Sequence, residues 1–208
     1  MQHRTAALAL ALTIAGTLAV AAPNAQAASP RAQHFGPAQC QGEGTNPAAL
    51  VRYRADVLID APLRTVWDTQ TDVEGWPSWQ RPVLSMDRID DGRSLQPGSQ
   101  FRWTTPGPAT ATTAATVMDI TSTVRRIDDG HCILWSGPAI GEGVRIDEGV
   151  HVWTFTEVPG GVAVHTEETW TGAQAEADVP TATGLLGGGL ELWLRDLKAT
   201  AEARTAGR

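Results

Sequence analysis

Between Val51 and Gly172 the chain alternates apolar and polar residues in short runs, and beyond that stretch the period becomes that of a helix. The runs "VRYRADVLID" (51–60), "VLSMDRID" (83–90), "SQFRWTTP" (99–106) and "TVMDITSTVRRID" (116–128) read as strands. So do "HCILWSGP" (131–138), "VRIDEGVHVWTFTEV" (144–158) and "GVAVHTEETWTG" (161–172). Asp91-Gly92, Pro97-Gly98, Asp129-Gly130 and Pro159-Gly160 supply turn chemistry between them. Short connections predict a mostly antiparallel meander. After the first run, Pro62 is placed to open a short helix with Leu63, Val66 and Trp67 on one face. A second short helix or turn, "VEGWPSWQR", carries Trp76 and Trp79 around Pro77. Near the end, Leu190, Trp193, Leu194, Leu197 and Ala201 draw one apolar stripe, with Glu191, Arg195, Lys198 and Glu202 on the other side. The spacing predicts a helix over 190–202, with Gly187-Gly188-Gly189 just ahead of it. One amphipathic helix laid on a large antiparallel sheet buries both apolar surfaces, which makes the fold α+β.

The first 27 residues read as a secretory signal peptide: His3 and Arg4, an apolar run from Ala6 to Ala22, and the cleavage pattern Ala25-Gln26-Ala27. Pro23, the many alanines and the cleavage pattern argue against a stable membrane anchor, so the mature chain is expected to begin at Ala28, secreted or otherwise extracytoplasmic. Residues 28–49 have no apolar period and are rich in Gln, Gly and Pro, as a flexible N-terminal tail would be. The folded domain is then 50–205. Cys40 in the tail and Cys132 in a strand are the chain's two cysteines. In an oxidising compartment they are a disulfide candidate; the alternative is a buried free Cys132 beside an exposed Cys40.

Alternation sets Phe101 with Trp103, Ile133 with Trp135, His151 with Trp153 and Phe155, and Val164 with Thr166, Glu168 and Trp170, each group on one face of its strand. Those faces, with Trp193 from the helix, form the concave side. His165 and Glu167 are expected on the opposite, convex face as ordinary surface residues. The chain has 8 tryptophans against 3 phenylalanines and 1 tyrosine, so indoles dominate whatever the concave side encloses. A core packed solid with them and a cavity walled by them both fit the pattern.

The segments "DAPLRTVWDTQTDVEGWPSW", "LQPGSQFRW", "ILWSGPAIGEGVRIDEGVHVWTF", "VAVHTEETWTG" and "LELWLRDLKATAEA", in that order over about 52–204, resemble the START-like (SRPBCC) superfamily, most of all its bacterial polyketide cyclase/dehydrase-type branch. The resemblance implies a helix-grip fold: a curved seven-stranded antiparallel sheet wrapped around a long C-terminal helix, with two short helices after strand 1. It also implies an elongated apolar cavity between sheet and helix. The ligand-binding residues would then be Trp67, Trp76, Trp79, Phe101, Trp103, Trp135, His151, Trp153, Phe155, Glu168, Trp170 and Trp193. The export signal, the 28–49 tail and the glycine run depart from the family pattern.

Glu168 and His151 are the candidates for chemistry. A carboxylate on the concave face is partly desolvated, which raises its pKa. It serves either as an acid/base group or ligand anchor, or as a structural group tied to backbone N–H. His151 divides the same way, between catalytic and satisfied structural. Without residues 1–27 the chain carries 15 Lys and Arg against 23 Asp and Glu, an acidic balance that excludes nucleic acid as a partner. There is no G-x-S-x-G elbow, phosphate loop or dinucleotide fingerprint, and the histidines lack ligand spacing, so no cofactor and no metal is expected. Two function classes follow: a secreted domain that binds a small hydrophobic molecule (a lipid or an aromatic, polyketide-like one), or a polyketide cyclase/dehydrase-type enzyme working through a cavity carboxylate or histidine.

Overall fold

The computed structural model describes residues 36–90, 92 and 94–207. The signal-peptide expectation for residues 1–27 lies outside the described residues, as does the start of the tail. Strands β1 (Gln39–Cys40) and β2 (Glu43–Gly44) form a small hairpin. Then come β3 (Val51–Ile59), helix α1 (Leu63–Thr71) and a 3₁₀-helix over Val73–Ser78. Six strands follow in succession: β4 (Ser85–Arg88), β5 (Gln100–Gly107), β6 (Thr116–Asp128), β7 (Cys132–Gly141), β8 (Val144–Val158) and β9 (Gly161–Thr171). A short 3₁₀ turn over Ala175–Asp178 leads into α2 (Val179–Ala206). The seven long strands make one antiparallel sheet in the order β3-β9-β8-β7-β6-β5-β4, a meander whose last strand pairs with its first. With α2 across its concave face this is a helix-grip fold.

The helix starts well before the predicted 190. Asp178 caps it, accepting the Thr181 amide at 3.1 Å and the Thr181 hydroxyl at 2.8 Å. The run Gly187-Gly188-Gly189 therefore lies inside α2. Glycine lowers helix propensity by about 1 kcal/mol per residue, which hides a helix from a propensity reading. Packing holds this one together: Leu186 and Leu190 sit beside Val51 in a buried cluster. Gly187 admits the Tyr53 ring, since a Cβ there would stand 2.7 Å from Tyr53 Cε2.

The tail reading needs a second correction. Residues 36–49 are packed onto the convex face. Cys40 is bonded to Cys132 with Cα atoms 5.4 Å apart, and Ala38 and Cys40 are buried with Leu134, Val150 and Val152. Glu167 Oε2 accepts the Ala38 amide at 3.2 Å, and Glu167 Oε1 accepts the Thr45 hydroxyl at 3.0 Å. Glu43 pairs with Arg125 and Arg126 at 2.8 and 3.0 Å. His165 and Glu167 do point to the convex side, but both are buried rather than ordinary surface residues, Glu167 beneath the segment whose Ala38 and Thr45 it bonds. His165 Nδ1 also contacts Asp56 on the neighbouring strand.

Candidate functional site

The concave side contains both a solid core and a void, in different places. At the end nearer α1, Trp76 is fully buried and sits at the centre of an aromatic cluster. Its ring centroid lies 4.8 Å from Trp193, 5.5 Å from Phe101, 5.8 Å from Trp135 and 5.9 Å from Trp103. Most of these contacts are edge-to-face, the arrangement favoured by the ring quadrupole. Trp67 meets Phe155 in the same way at 5.2 Å, and Trp153 stacks on Trp135. Trp76 donates to the Gln70 carbonyl at 2.9 Å and Trp193 to Gln70 Oε1 at 3.0 Å. Trp67, Trp76, Trp79, Phe101, Trp153 and Phe155 belong to this packed region or its edge, and none of them lines the cavity.

Beyond that region the sheet and α2 diverge and enclose a cavity of about 750 Å³. Trp103, Trp135, His151, Glu168, Trp170 and Trp193 are the predicted residues that wall it. The sheet adds apolar side chains from Met118, Ile120, Ala139 and Ile146. Gly149, paired with Gly137 across β7 and β8, leaves part of the wall bare, while Gly137 lets its strand approach β6, since a Cβ there would collide with the Thr121 carbonyl oxygen. On the helix side, Leu185, Gly188, Gly189 and Leu192 fall at i, i+3, i+4 and i+7, one face of α2 turned to the mouth. Opposite them lie Arg81, Pro82 and the connection from Pro106 to Thr116. A Cβ on Gly188 or Gly189 would meet nothing within 4 Å, so the glycines widen the opening. Sequence reasoning missed this half of the site. The Leu-x-x-Gly-Gly-x-x-Leu spacing was its only signal, and it shows once the glycines are read as helical.

Besides Gln80 and Ser122, a buried polar group of two residues interrupts the apolar wall. Glu168 Oε2 stands 3.1 Å from His151 Nδ1. Glu168 Oε1 accepts the Trp170 indole N–H at 2.7 Å. His151 Nε2 lies 2.7 Å from Thr166 Oγ1, which itself is 3.1 Å from the Val152 carbonyl. Burial pushes the Glu168 carboxyl up to about 7, with the Trp170 bond opposing it, and pushes the His151 ring down to about 3. Both groups are driven toward neutrality, so near pH 7 a proton is readily placed on the carboxyl. Among the indoles of the wall, Trp103 donates to Ser122 Oγ at 3.2 Å, so that Trp103, Trp170 and Trp193 each have their N–H bonded.

Residues 51–202 match the model of the family described as "Polyketide cyclase / dehydrase and lipid transport". The chain belongs to that family. The SRPBCC-type, START-like resemblance seen in the sequence is therefore correct, and the domain is of the kind that encloses a hydrophobic cavity. No curated protein matches the chain significantly. Among solved structures, the di-domain ARO/CYC StfQ from the steffimycin biosynthetic pathway superposes with a TM-score of 0.56 at 18% identity, covering 76% of this chain and 52% of that one. Ara h 8.0201 gives 0.55 at 11% identity over 76% of this chain and 98% of the other. TTHA0849 from Thermus thermophilus gives 0.55 at 18% identity, covering 74% and 99%. At these identities the likeness is one of fold. No helix among the described residues is long and apolar enough to cross a membrane.

Proposed function

We propose that the protein binds a small, largely apolar molecule in the cavity between the sheet and α2, acting as a carrier or sensor. The observation that carries this reading is the void itself: about 750 Å³, walled by Trp103, Trp135, Trp170 and Trp193, in a mainly apolar lining whose polar side chains include Glu168, His151, Gln80 and Ser122. A volume of that size suits one small organic molecule, and large flat side chains suit a flat or ring-containing one. His151 has both ring nitrogens engaged with Glu168 and Thr166, so it offers the ligand little, and Glu168 is the polar anchor on the sheet side, with the buried Gln80 amide on the same lining. Export belongs to the same proposal. The Ala25-Gln26-Ala27 signature supports it, and so does a Cys40–Cys132 disulfide, which persists in oxidising compartments. Intact mass of the secreted protein starting at Ala28 checks that part.

A titration with pyrene tests the binding. Saturable quenching of tryptophan emission is expected, with a rise in melting temperature that grows with ligand, since a ligand at about 100 times its Kd adds about 2.7 kcal/mol. If neither pyrene nor a series of long-chain alcohols moves the emission or the melting temperature, the binding reading is wrong. One observation favours a second reading. The 3.1 Å carboxyl–imidazole contact with a carboxyl raised to about 7 is a competent acid/base pair, as a cyclase or dehydratase would use. Under that reading Glu168→Gln lowers turnover about 10²–10⁴-fold while leaving binding nearly intact.

A further inference from the structure

The donors and acceptors around Glu168 leave it one role toward a ligand. The Val152 carbonyl can only accept, and with the Thr166 hydroxyl hydrogen on it at 3.1 Å, Thr166 Oγ1 accepts from His151 Nε2 at 2.7 Å. With the hydroxyl turned to Nε2 instead, the ring hydrogen sits on Nδ1. In either tautomer one proton lies between Nδ1 and Glu168 Oε2, which stand 3.1 Å apart. Glu168 Oε1 already accepts the Trp170 N–H at 2.7 Å. Whether the shared proton rests on oxygen or nitrogen, the lone pairs of Glu168 that remain turned to the cavity can only accept. Both groups line the cavity, and Glu168 is the more open to it, with its side chain 18% exposed against 7% for His151. Gly149 clears the approach: even a Cβ there would stand 3.4 Å from Glu168 Oε1. The other basic side chain on the lining is Arg81, which is 79% exposed and faces Asp196 at 3.6 Å.

We propose that Glu168 is the recognition point for a ligand hydroxyl, so that the cavity selects neutral, apolar, hydroxyl-bearing molecules over the ether or carboxylate of the same skeleton. A hydroxyl supplies the donor that this acceptor-only group lacks. A methyl ether sets lone pair against lone pair at Glu168, and a carboxylate there sets a charge against the Glu168 oxygens. The inference rests on the binding reading above and narrows it to a chemical class.

Three probes on one ring system separate the possibilities: 1-hydroxypyrene, 1-methoxypyrene and 1-pyrenecarboxylate, each titrated into the intact protein by tryptophan quenching. The expected order is hydroxyl tightest, ether weaker by about tenfold, carboxylate weakest. Glu168→Gln keeps the chain of bonds intact, because the amide oxygen can accept from Trp170 and one amide hydrogen can donate to His151, but its second amide hydrogen is a new donor. In that variant the hydroxyl advantage over the ether should disappear and carboxylate affinity should rise. Equal binding of all three by the unmodified protein overturns the hydroxyl selection while leaving the cavity reading standing, and so does tightest binding of the carboxylate. Absence of binding by all three overturns both. Because the ranking in the unmodified protein is decisive alone, a poorly folded variant does not remove the test.

Discussion

The three consecutive glycines of α2 should answer to substitution in opposite ways. Gly188 and Gly189 are exposed at the cavity mouth, and a Cβ on either meets nothing within 4 Å. Replacing one with Leu removes the conformational freedom that glycine gives the unfolded chain and adds about 0.8 kcal/mol of helix propensity. For a domain of this size, 1 kcal/mol corresponds to about 2–4 °C in melting temperature. The new side chain also projects into the space that a ligand would occupy or pass. An overpacking cost of about 1–3 kcal/mol corresponds to a loss of about 5- to 150-fold in affinity. Gly188→Leu should therefore melt higher and bind pyrene more weakly. At Gly187 the added Cβ lies 2.7, 2.8 and 2.9 Å from three atoms of the Tyr53 ring, and that ring is tethered by its hydroxyl to Glu191 Oε1 at 2.6 Å. There even Gly187→Ala should lose up to about 2 kcal/mol net, because overpacking exceeds the propensity gain. Urea denaturation and a pyrene titration on each variant decide the matter. If Gly188→Leu destabilises the protein, or binds pyrene as tightly as the unmodified chain, then the glycines do not hold the mouth open.

Other measurements follow from the same structure. The unfolded chain loses the Glu168 proton near pH 4.5 and the folded protein near 7, so the folded state binds the extra proton between those values. Stability relative to Glu168→Gln should be greatest below pH 4.5 and fall as pH rises toward 7. His151, neutral in the fold down to about pH 3 against 6.5 when unfolded, gives the opposite slope, so the pair's joint contribution should be flat between about pH 4.5 and 6.5. A difference in urea midpoints between protein and variant that does not vary with pH would contradict the Glu168 slope. Replacing Cys40 and Cys132 together with Ala opens a loop of sequence separation 92 and should cost no more than about 4–5 kcal/mol, the chain-entropy ceiling. An unchanged midpoint with and without reductant would show the staple to be idle. Glu167→Ala strands the buried Ala38 amide and should cost about 1–3 kcal/mol, with faster hydrogen exchange at Ala38; a change below about 0.5 kcal/mol speaks against the hairpin's anchor.

The sheet was legible because two-residue alternation and Gly-containing turns survive any tertiary context: all seven predicted strands are present, within a few residues of their predicted limits. The C-terminal half of α2 was legible from its stripe. Its N-terminal half was not, because glycine carries no periodic side chain to read and the helix there is held by contacts with Val51 and Tyr53, which are distant in sequence. The 36–49 hairpin was illegible for a related reason. It contributes few apolar residues and is fixed by one disulfide and by side chains such as Glu167 that bond its backbone. The buried state of Glu167 then followed from a cover the strand pattern does not contain. At the site, alternation placed Trp103, Trp135, His151, Glu168 and Trp170 on the correct face. It could not say which aromatics would pack solid around Trp76 and which would face empty space, since that depends on how far sheet and helix stand apart. Only three-dimensional distances decide it.

The pairing of the sheet's first strand with its last has a consequence for the order in which the molecule is built. Strands β4 to β9 follow one another in the sheet as they do in sequence, so each hairpin closes over a short connection at small entropic cost. β3, by contrast, docks on β9 from the far end of the domain, Val51 opposite Trp170, and Cys40 must find Cys132 across a separation of 92. Loops of that length are slow to close and are rewarded only once a surface exists to receive them. The segment at the front of the domain is thus expected to be placed last. It arrives on a meander that already presents the Glu168 group on its inner side, and the hairpin and its disulfide then lock a surface whose opposite side already has its chemistry set.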